Sequence, residues 1–445
     1  MSFCRLPLAP APDLLAVHRA SPDCWPYLLA STAGQGKLAR WSLLLFADGP
    51  QLCLDLDGLR GPGEGERFLD RLRSWSGPPN PDMNTGDFPF IGGWFIYLGY
   101  ELVSEIEPHL HLPAAADGLP IALAARCPAA VLVDHANDQS WLVAESATAL
   151  DQARAAMPVN TPVTAETATP PPLQLMPEDG QRFIQGVERI REWILDGDVF
   201  QVNLSRGWRG EASQPLDATQ LYQRLTASNP APFAGLARLP GGTLLSSSPE
   251  RLVEVRGASV QTRPIAGTRP RGHSVDDDLD LSRELIAHPK ERAEHIMLID
   301  LERNDLGRVC DSGTVEVDEL MVIESYAHVH HIVSNVRGRL RAGTHAADVI
   351  AAVFPGGTIT GCPKVRCMEI IAELEQQGRS FYTGAMGYLG LDGSLDLNIL
   401  IRSMLVDGKQ LGFRTGAGIV ADSDPKAELA ETEAKARGLL RALAW

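Results

Sequence analysis

The 445-residue chain is 44% hydrophobic, enough to bury roughly 75% of its unfolded surface and build one large domain or two. Its 56 acidic against 40 basic residues give a net charge of −16, which repels phosphate backbones and anionic lipid and argues against nucleic acid or a membrane as partner. No stretch approaches the roughly 18 apolar residues of a membrane span, the first residues lack the pattern of a secretion signal, and the seven cysteines are odd in number without CxxC spacing, so reduced thiols and a cytoplasmic location are expected.

In chain order, the runs YLLAS, ARWSLLLFADG, GGWFIYLGYEL and PAAVLVDHA are short, apolar and bounded by turn residues, the character of strands in an antiparallel sheet. Residues 157–177, MPVNTPVTAETATPPPLQLMP, are rich in Pro, Thr and Ala without periodicity and read as a linker, dividing the chain into an N-terminal region (1–156), the linker (157–177) and a catalytic region (178–445). Beyond it, FIQGVERIREWILDGD carries a helical stripe of Ile184, Val187, Ile190, Trp193 and Ile194, stopped by Gly197. Strands are legible at FQVNLSRGW, GTLLSSSPERLVEV, HVHHIVSNVRG, YTGAMGYLGL, LDLNILIRSMLV and QLGFRTGAGIVA. Neighbouring strands with a few inserted helices predict an α+β fold, not a doubly wound parallel sheet.

Two segments could carry chemistry through paired carboxylates. A helix opening at Pro289 is expected to bury Ala293, Ile296, Met297 and Leu301, with Glu291 and Glu294 on another face. A C-terminal helix, capped by Asp424 and Pro425 and anchored by Leu429, Leu440 and Leu443, carries Glu428 and Glu431 at the same spacing. Two such pairs brought together repel unless a divalent cation such as Mg²⁺ lies between them; the alternative is a solvated helix face, with Glu431 and Lys435 as an i,i+4 ion pair. The run TGAGIVAD superficially matches a dinucleotide fingerprint, but too little chain follows for a Rossmann unit, and its glycines suit a turn whose N–H groups meet a carboxylate. Gly356 to Gly361 has P-loop glycine spacing, yet Cys362 and Pro363 stand where Lys and Ser or Thr belong. On its strand, His331 faces away from His328 and His330, as a packed imidazole or a proton donor. Arg402 suits a carboxylate clamp or a solvated position, and periodicity leaves both open.

The motifs GDVFQVNLSR, SSSPERLV, RPIAGTRPRG, ERAEHIMLIDLERNDLGR, HHIVS, FPGGTITGCPKVRCMEII, YTGAMGYLG, LDLNILIRS and TGAGIVADSDPKAELAET occur in an order that resembles the chorismate-utilising enzymes, in the branch of the anthranilate synthase and aminodeoxychorismate synthase large subunits. They cover residues 183–443, and GGWFIYLGYE extends the resemblance more weakly toward the N-terminus. The resemblance implies two large, mostly antiparallel sheets packed face to face with helices outside. It implies Mg²⁺ held by Glu294 and Glu431, with Glu291 and Glu428 beside them, gripping a carboxylate of chorismate. It further implies His331 as general acid at the departing hydroxyl, Glu250 as a proton-transferring carboxylate, and Gly267, Thr268, Thr358, Tyr382, Arg402, the Gly416, Ala417 and Gly418 backbone and Lys435 as substrate holders.

Relatives that add water to chorismate carry a Lys base where this chain has Gln201, and glutamine cannot deprotonate water, so ammonia is the expected nucleophile. No glutaminase segment is recognisable, so ammonia is expected from a glutamine amidotransferase partner. Asn203, the PGG-x-ITG form of the glycine loop, LDLNILIRS and Ser423-Asp424-Pro425 favour 4-amino-4-deoxychorismate, on the way to 4-aminobenzoate and folate. So does Leu28-Leu29-Ala30-Ser31, a departure from the tryptophan-binding LLES of anthranilate synthases. Ala266, where many aminodeoxychorismate synthases have a nucleophilic Lys, favours anthranilate. A non-catalytic chorismate- or tryptophan-binding subunit is the third reading, opposed by the intact set Glu250, Glu294, His331, Arg402 and Glu431.

Overall fold

The computed structural model describes residues 3–32, 39–80, 83, 85–158, 171–272, 274–325 and 329–443. Its apolar runs are strands buried on both faces, so alternate side chains enter different cores. In Gly93–Leu98, Phe95 and Tyr97 enter a central core that also holds Tyr27, Leu43, Leu45, Met386 and Leu405, whereas Trp94, Ile96 and Leu98 face the helices Phe68–Ser76, Pro289–Gly307 and Ala346–Val353. In Tyr27–Ala30 the same alternation sends Tyr27 inward, stacked on Phe95 at 3.8 Å, and Leu28 outward toward Leu14–Ala20, Ala147–Ala155, Ala218–Ser228 and Pro425–Leu443. Among the described residues the result is two antiparallel sheets, of twelve and eleven strands, packed face to face with helices on both outer surfaces.

Both sheets mix strands from the two ends of the chain. Tyr27–Ala30 pairs with Phe233–Leu239 in the larger sheet, and Gly93–Leu98 pairs with Ala385–Gly390 in the smaller. The expected regions 1–156 and 178–445 therefore share both sheets. Residues 159–170 lie outside the described part, but the end of the expected linker is ordered: Leu173–Pro177 is a strand paired with Gln201–Ala212.

Two runs that read as single strands are each two strands in different sheets. Gly242–Ser248 belongs to the larger sheet and Arg251–Arg256 to the smaller, with Pro249 and Glu250 at the crossing. Leu395–Ile399 belongs to the smaller sheet and Ser403–Asp407 to the larger, and Arg402 at the crossing adopts a left-handed φ of 52°. The crossings adjoin, because Ile399 N–H donates to the Glu250 carbonyl at 3.0 Å and Ser247 N–H to the Arg402 carbonyl at 3.1 Å.

The helix Pro289–Gly307 starts at the expected proline but buries another face. Ala293 and Ile296 are exposed, while His295, Leu298, Ile299, Glu302, Asp305 and Leu306 are buried. Polar partners explain the difference: His295 Nε2 meets Ser334 Oγ at 2.6 Å, and Lys364 Nζ donates to Asp305 at 2.5 Å, so the stripe includes residues that apolar counting assigns to water.

Candidate active site

A cavity of about 690 Å³ opens where the sheet crossings meet the two acidic helices. Strand parity selects its lining on one side. Asn203 lies opposite Gly418 in the pairing of Gln201–Ala212 with Gln410–Ile419, so Gln201, Asn203, Gly416 and Gly418 line the cavity. Val202, Leu204 and Ala417 face the other way, into a core with the helix Gly180–Asp196, so Ala417 offers a substrate only its backbone. Gly416 and Gly418 are glycines for reasons of space: a Cβ at Gly416 would stand 2.7 Å from both the Leu204 carbonyl oxygen and the Tyr382 hydroxyl, and one at Gly418 2.6 Å from Gln201 Nε2.

The crossings supply Glu250 and Arg402, and the turn Gly357–Ile359 supplies Thr358. The bulged strand Ile265–Pro270 contributes Ala266 and Gly267, and Val329–Arg339 contributes His331, whose Nδ1–H donates to the Gly267 carbonyl at 3.3 Å. Gly267 holds a φ of 65°, and a Cβ there would meet Glu291 Oε2 at 2.8 Å. Thr268 pairs through its backbone with His331, and its side chain, like residue His328, lies outside the described part.

Helix Pro289–Gly307 presents Glu291 and Glu294 to the cavity, and helix Pro425–Leu443, capped by Asp424 Oδ1 on Ala427 N–H, presents Glu428, Glu431 and Lys435. As they stand these carboxylates have protein partners. Glu431 is ion-paired with Lys435 at 2.6 Å, Glu428 accepts from Ser423 Oγ at 2.6 Å, and Arg269 donates to Glu291 at 3.3 Å. Among the described residues no three His, Cys, Asp or Glu side chains converge into a closed metal site. The donor chemistry nevertheless fits a hard cation: four carboxylates from two helices line one cavity, and carboxylate oxygens are the donors a divalent ion such as Mg²⁺ takes.

Four buried polar atoms on the wall, Gln201 Oε1, Asn203 Oδ1, Glu250 Oε1 and Thr358 Oγ1, have no hydrogen-bond partner. Buried polar groups are normally paired, so four unpaired on one cavity mark a surface shaped for a polar ligand. Burial raises the Glu250 carboxyl to about 7 and lowers His331 to about 4. Burial also lowers Arg402, against the opposing pull of Tyr382 and Glu431. Lys435 Nζ donates to the Gly416 carbonyl at 3.0 Å, tying the acidic helix to the glycine strand.

Every expected site residue except Thr268 and Ala417 therefore lines one cavity. Sequence reasoning missed Arg269, Arg414, Thr415 and Arg437, which also line it. Arg269 lies inside the RPIAGTRPRG motif and Arg414 two residues before Gly416, and alternation along the strand was the available signal for Arg414. Together with Arg402 and Lys435, the residues Arg269, Arg414 and Arg437 gather cationic side chains on the cavity, which an acidic protein needs to hold an anion.

The chorismate binding enzyme family model matches residues 61–441. An anthranilate synthase component I-like protein of Synechocystis sp. is 45% identical over 386 residues, covering 86% of this chain and 79% of the relative. An aminodeoxychorismate synthase component 1 of Bacillus subtilis is 52% identical over 266 residues, 60% of this chain and 56% of the relative. The crystal structure of anthranilate synthase component I from Streptococcus pneumoniae superposes with a TM-score of 0.81 at 31% identity, covering 91% of this chain and 93% of that one.

Proposed function

The chain belongs to the chorismate binding enzyme family, and from that premise we propose that it aminates chorismate at C4 with ammonia, giving 4-amino-4-deoxychorismate for 4-aminobenzoate and folate synthesis. The observation that carries the reading is the pair Gln201 and Asn203 on the cavity wall, each buried with its amide oxygen unpaired. An amide cannot take a proton from water but can accept one in a hydrogen bond from ammonia or a ring hydroxyl. Ammonia is supplied by a glutamine amidotransferase subunit.

In this account Arg402, Lys435, Tyr382, Thr358 and the Gly416–Gly418 backbone, with Gly267 and Thr268, hold the two carboxylates and the ring. Glu294 and Glu431 would hold Mg²⁺, with Glu291 and Glu428 beside them, and the ion would neutralise and anchor a substrate carboxylate. The C4–O bond breaks and the hydroxyl leaves as water with a proton from His331; a C–N bond forms and the nitrogen gives up a proton to Glu250. With Nδ1 donating to Gly267, Nε2 of His331 is the nitrogen that exchanges the proton, and a dianion beside the ring raises its proton affinity from the low value set by burial. Ala266 offers no amine for covalent attack, so ammonia itself attacks C2 as the C4 hydroxyl departs. A second ammonia then forms the C4–N bond as the C2–N bond breaks; the C2 amine leaves as ammonia with the proton Glu250 had taken, and the new C4 nitrogen returns a proton to Glu250.

A second reading, anthranilate formation, is favoured by Ala266. Incubating the pure chain with chorismate, Mg²⁺ and ammonium separates the two: 4-amino-4-deoxychorismate requires a separate lyase to give 4-aminobenzoate, whereas anthranilate fluorescence without any second enzyme selects the alternative.

A further inference from the structure

The cavity floor rests on a buried ionic lattice that none of the roles above uses. Arg379 is 2% exposed and its guanidinium makes two kinds of bond. On one side it grips Glu375, Nη2 donating to Oε1 at 2.7 Å and Nε to Oε2 at 3.1 Å; on the other, Nη2 donates to the Asn203 carbonyl at 2.7 Å and Nη1 to the Ile359 carbonyl at 3.1 Å. Its Cζ lies 5.5 Å from the Tyr382 ring centroid and 5.1 Å from that of Tyr100. Glu375 in turn accepts from Ser205 N–H at 2.9 Å and from the cavity-lining Arg414 at 3.0 Å. Burial alone would raise the Glu375 carboxyl, but Arg379 and Arg414 hold it below its usual value, so it stays ionised.

The backbone around Arg379 is itself strained. Gln376, Ser380 and Thr383 adopt left-handed φ values of 53°, 54° and 64°, and Arg379 N–H and Ser380 N–H are both held by the Glu101 carboxylate. Non-glycine residues in that region persist only where the surroundings fix them. Arg379 ties this segment, which itself carries Tyr382, to two others that carry cavity residues, at Asn203 and at Ile359 beside Thr358.

We propose that Arg379 is a positioning residue for the substrate cavity, locking Asn203, the Thr358 turn and the Tyr382 ring into one rigid floor through a planar fork that no other side chain reproduces. The proposal rests on the reading of this cavity as the chorismate site. Lysine at 379 keeps the charge beside Glu375 but has three donors on one atom, too few for the four bonds that the guanidinium makes from three nitrogens to Glu375 and both carbonyls. Because the floor holds the bound ring, loosening it weakens substrate capture more than it slows turnover.

The test compares the wild-type chain with Arg379→Lys and with the double variant Arg379→Met/Glu375→Gln, which removes the Arg379–Glu375 ion pair together while the glutamine oxygen can still accept from Arg414. Chorismate KM and kcat are measured with Mg²⁺ and ammonium well below each melting temperature. KM at least tenfold above wild type with kcat within about threefold, in either variant that melts cooperatively, is the expected result. KM within tenfold of wild type in every variant that folds, or failure of both variants to fold, assigns the lattice to stability alone and overturns the proposal. Wild-type protein that does not consume chorismate overturns the functional reading instead, and the proposal with it.

Discussion

Glu294 and Glu431 come from different helices, and each has an ordinary surface explanation, so substitution is the way to separate metal ligand from helix decoration. Glu294→Gln and Glu431→Gln are expected to abolish chorismate turnover while leaving circular dichroism and melting temperature near wild type, without rescue by excess Mg²⁺. Turnover near the wild-type rate would return both to the helix surface. Glu250 gives a pH signature. Its carboxyl is raised to about 7 when folded, so between the unfolded value near 4.5 and about 7 the native state holds the proton more tightly than the unfolded one. Stability from this group is therefore greatest at low pH and is lost as pH rises through 7, by about 3 kcal/mol in full. Glu302, raised to about 8 by burial beside Asp305, adds the same sign. Glu250→Gln is expected to flatten the fall in melting temperature between pH 5 and 8; an unchanged slope would mean the carboxyl is not buried as described.

At the scale of elements, strands were legible because apolar runs between turn residues have few other uses, and Gln201–Ala212, Val329–Arg339 and Gln410–Ile419 fall where the pattern places them. What was not legible is where a strand changes sheet. Glu250 and Arg402 stand at crossings without the Gly or Asn that normally marks a turn, because a left-handed arginine and a proline do that work, and both residues line the cavity. The buried face of Pro289–Gly307 was missed for a related reason: His295 and Asp305 are buried against polar partners, Ser334 and Lys364, and periodicity counts only apolar side chains. The glycine strand yields a prediction at this scale. A methyl at Gly416 would meet the backbone oxygen of Leu204, which cannot move without breaking the sheet, as well as the Tyr382 hydroxyl. Gly416→Ala is expected to cost about 1–3 kcal/mol of stability and to raise chorismate KM, read by melting and steady-state kinetics; unchanged values of both would show that the strand relaxes freely.

For the whole molecule, the family motifs gave the two-sheet architecture, whereas the division into an N-terminal and a catalytic region misses that each sheet needs both. Phe233–Leu239 has Tyr27–Ala30 as a neighbour and Ala385–Gly390 has Gly93–Leu98, so residues 171–445 alone leave two strand edges and part of the central core uncovered. That fragment is expected to show no cooperative melt, and co-expression with residues 1–158 to restore one; a cooperative, active 171–445 would contradict the shared-sheet account. The same architecture reconciles a charge of −16 with an anionic substrate, since Arg269, Arg402, Arg414 and Lys435 are gathered from strands, a crossing and a helix onto one cavity. In the proposed reading, what happens to the substrate there is decided by few side chains, Gln201, Asn203 and Ala266 among them. The most direct test is to incubate the pure chain with chorismate, Mg²⁺ and ammonium and to identify the product by mass and fluorescence. The account predicts a non-fluorescent product lighter than chorismate by the difference between a hydroxyl and an amino group, converted to 4-aminobenzoate only after a lyase is added; anthranilate fluorescence from the chain alone, or no loss of chorismate at all, would contradict it.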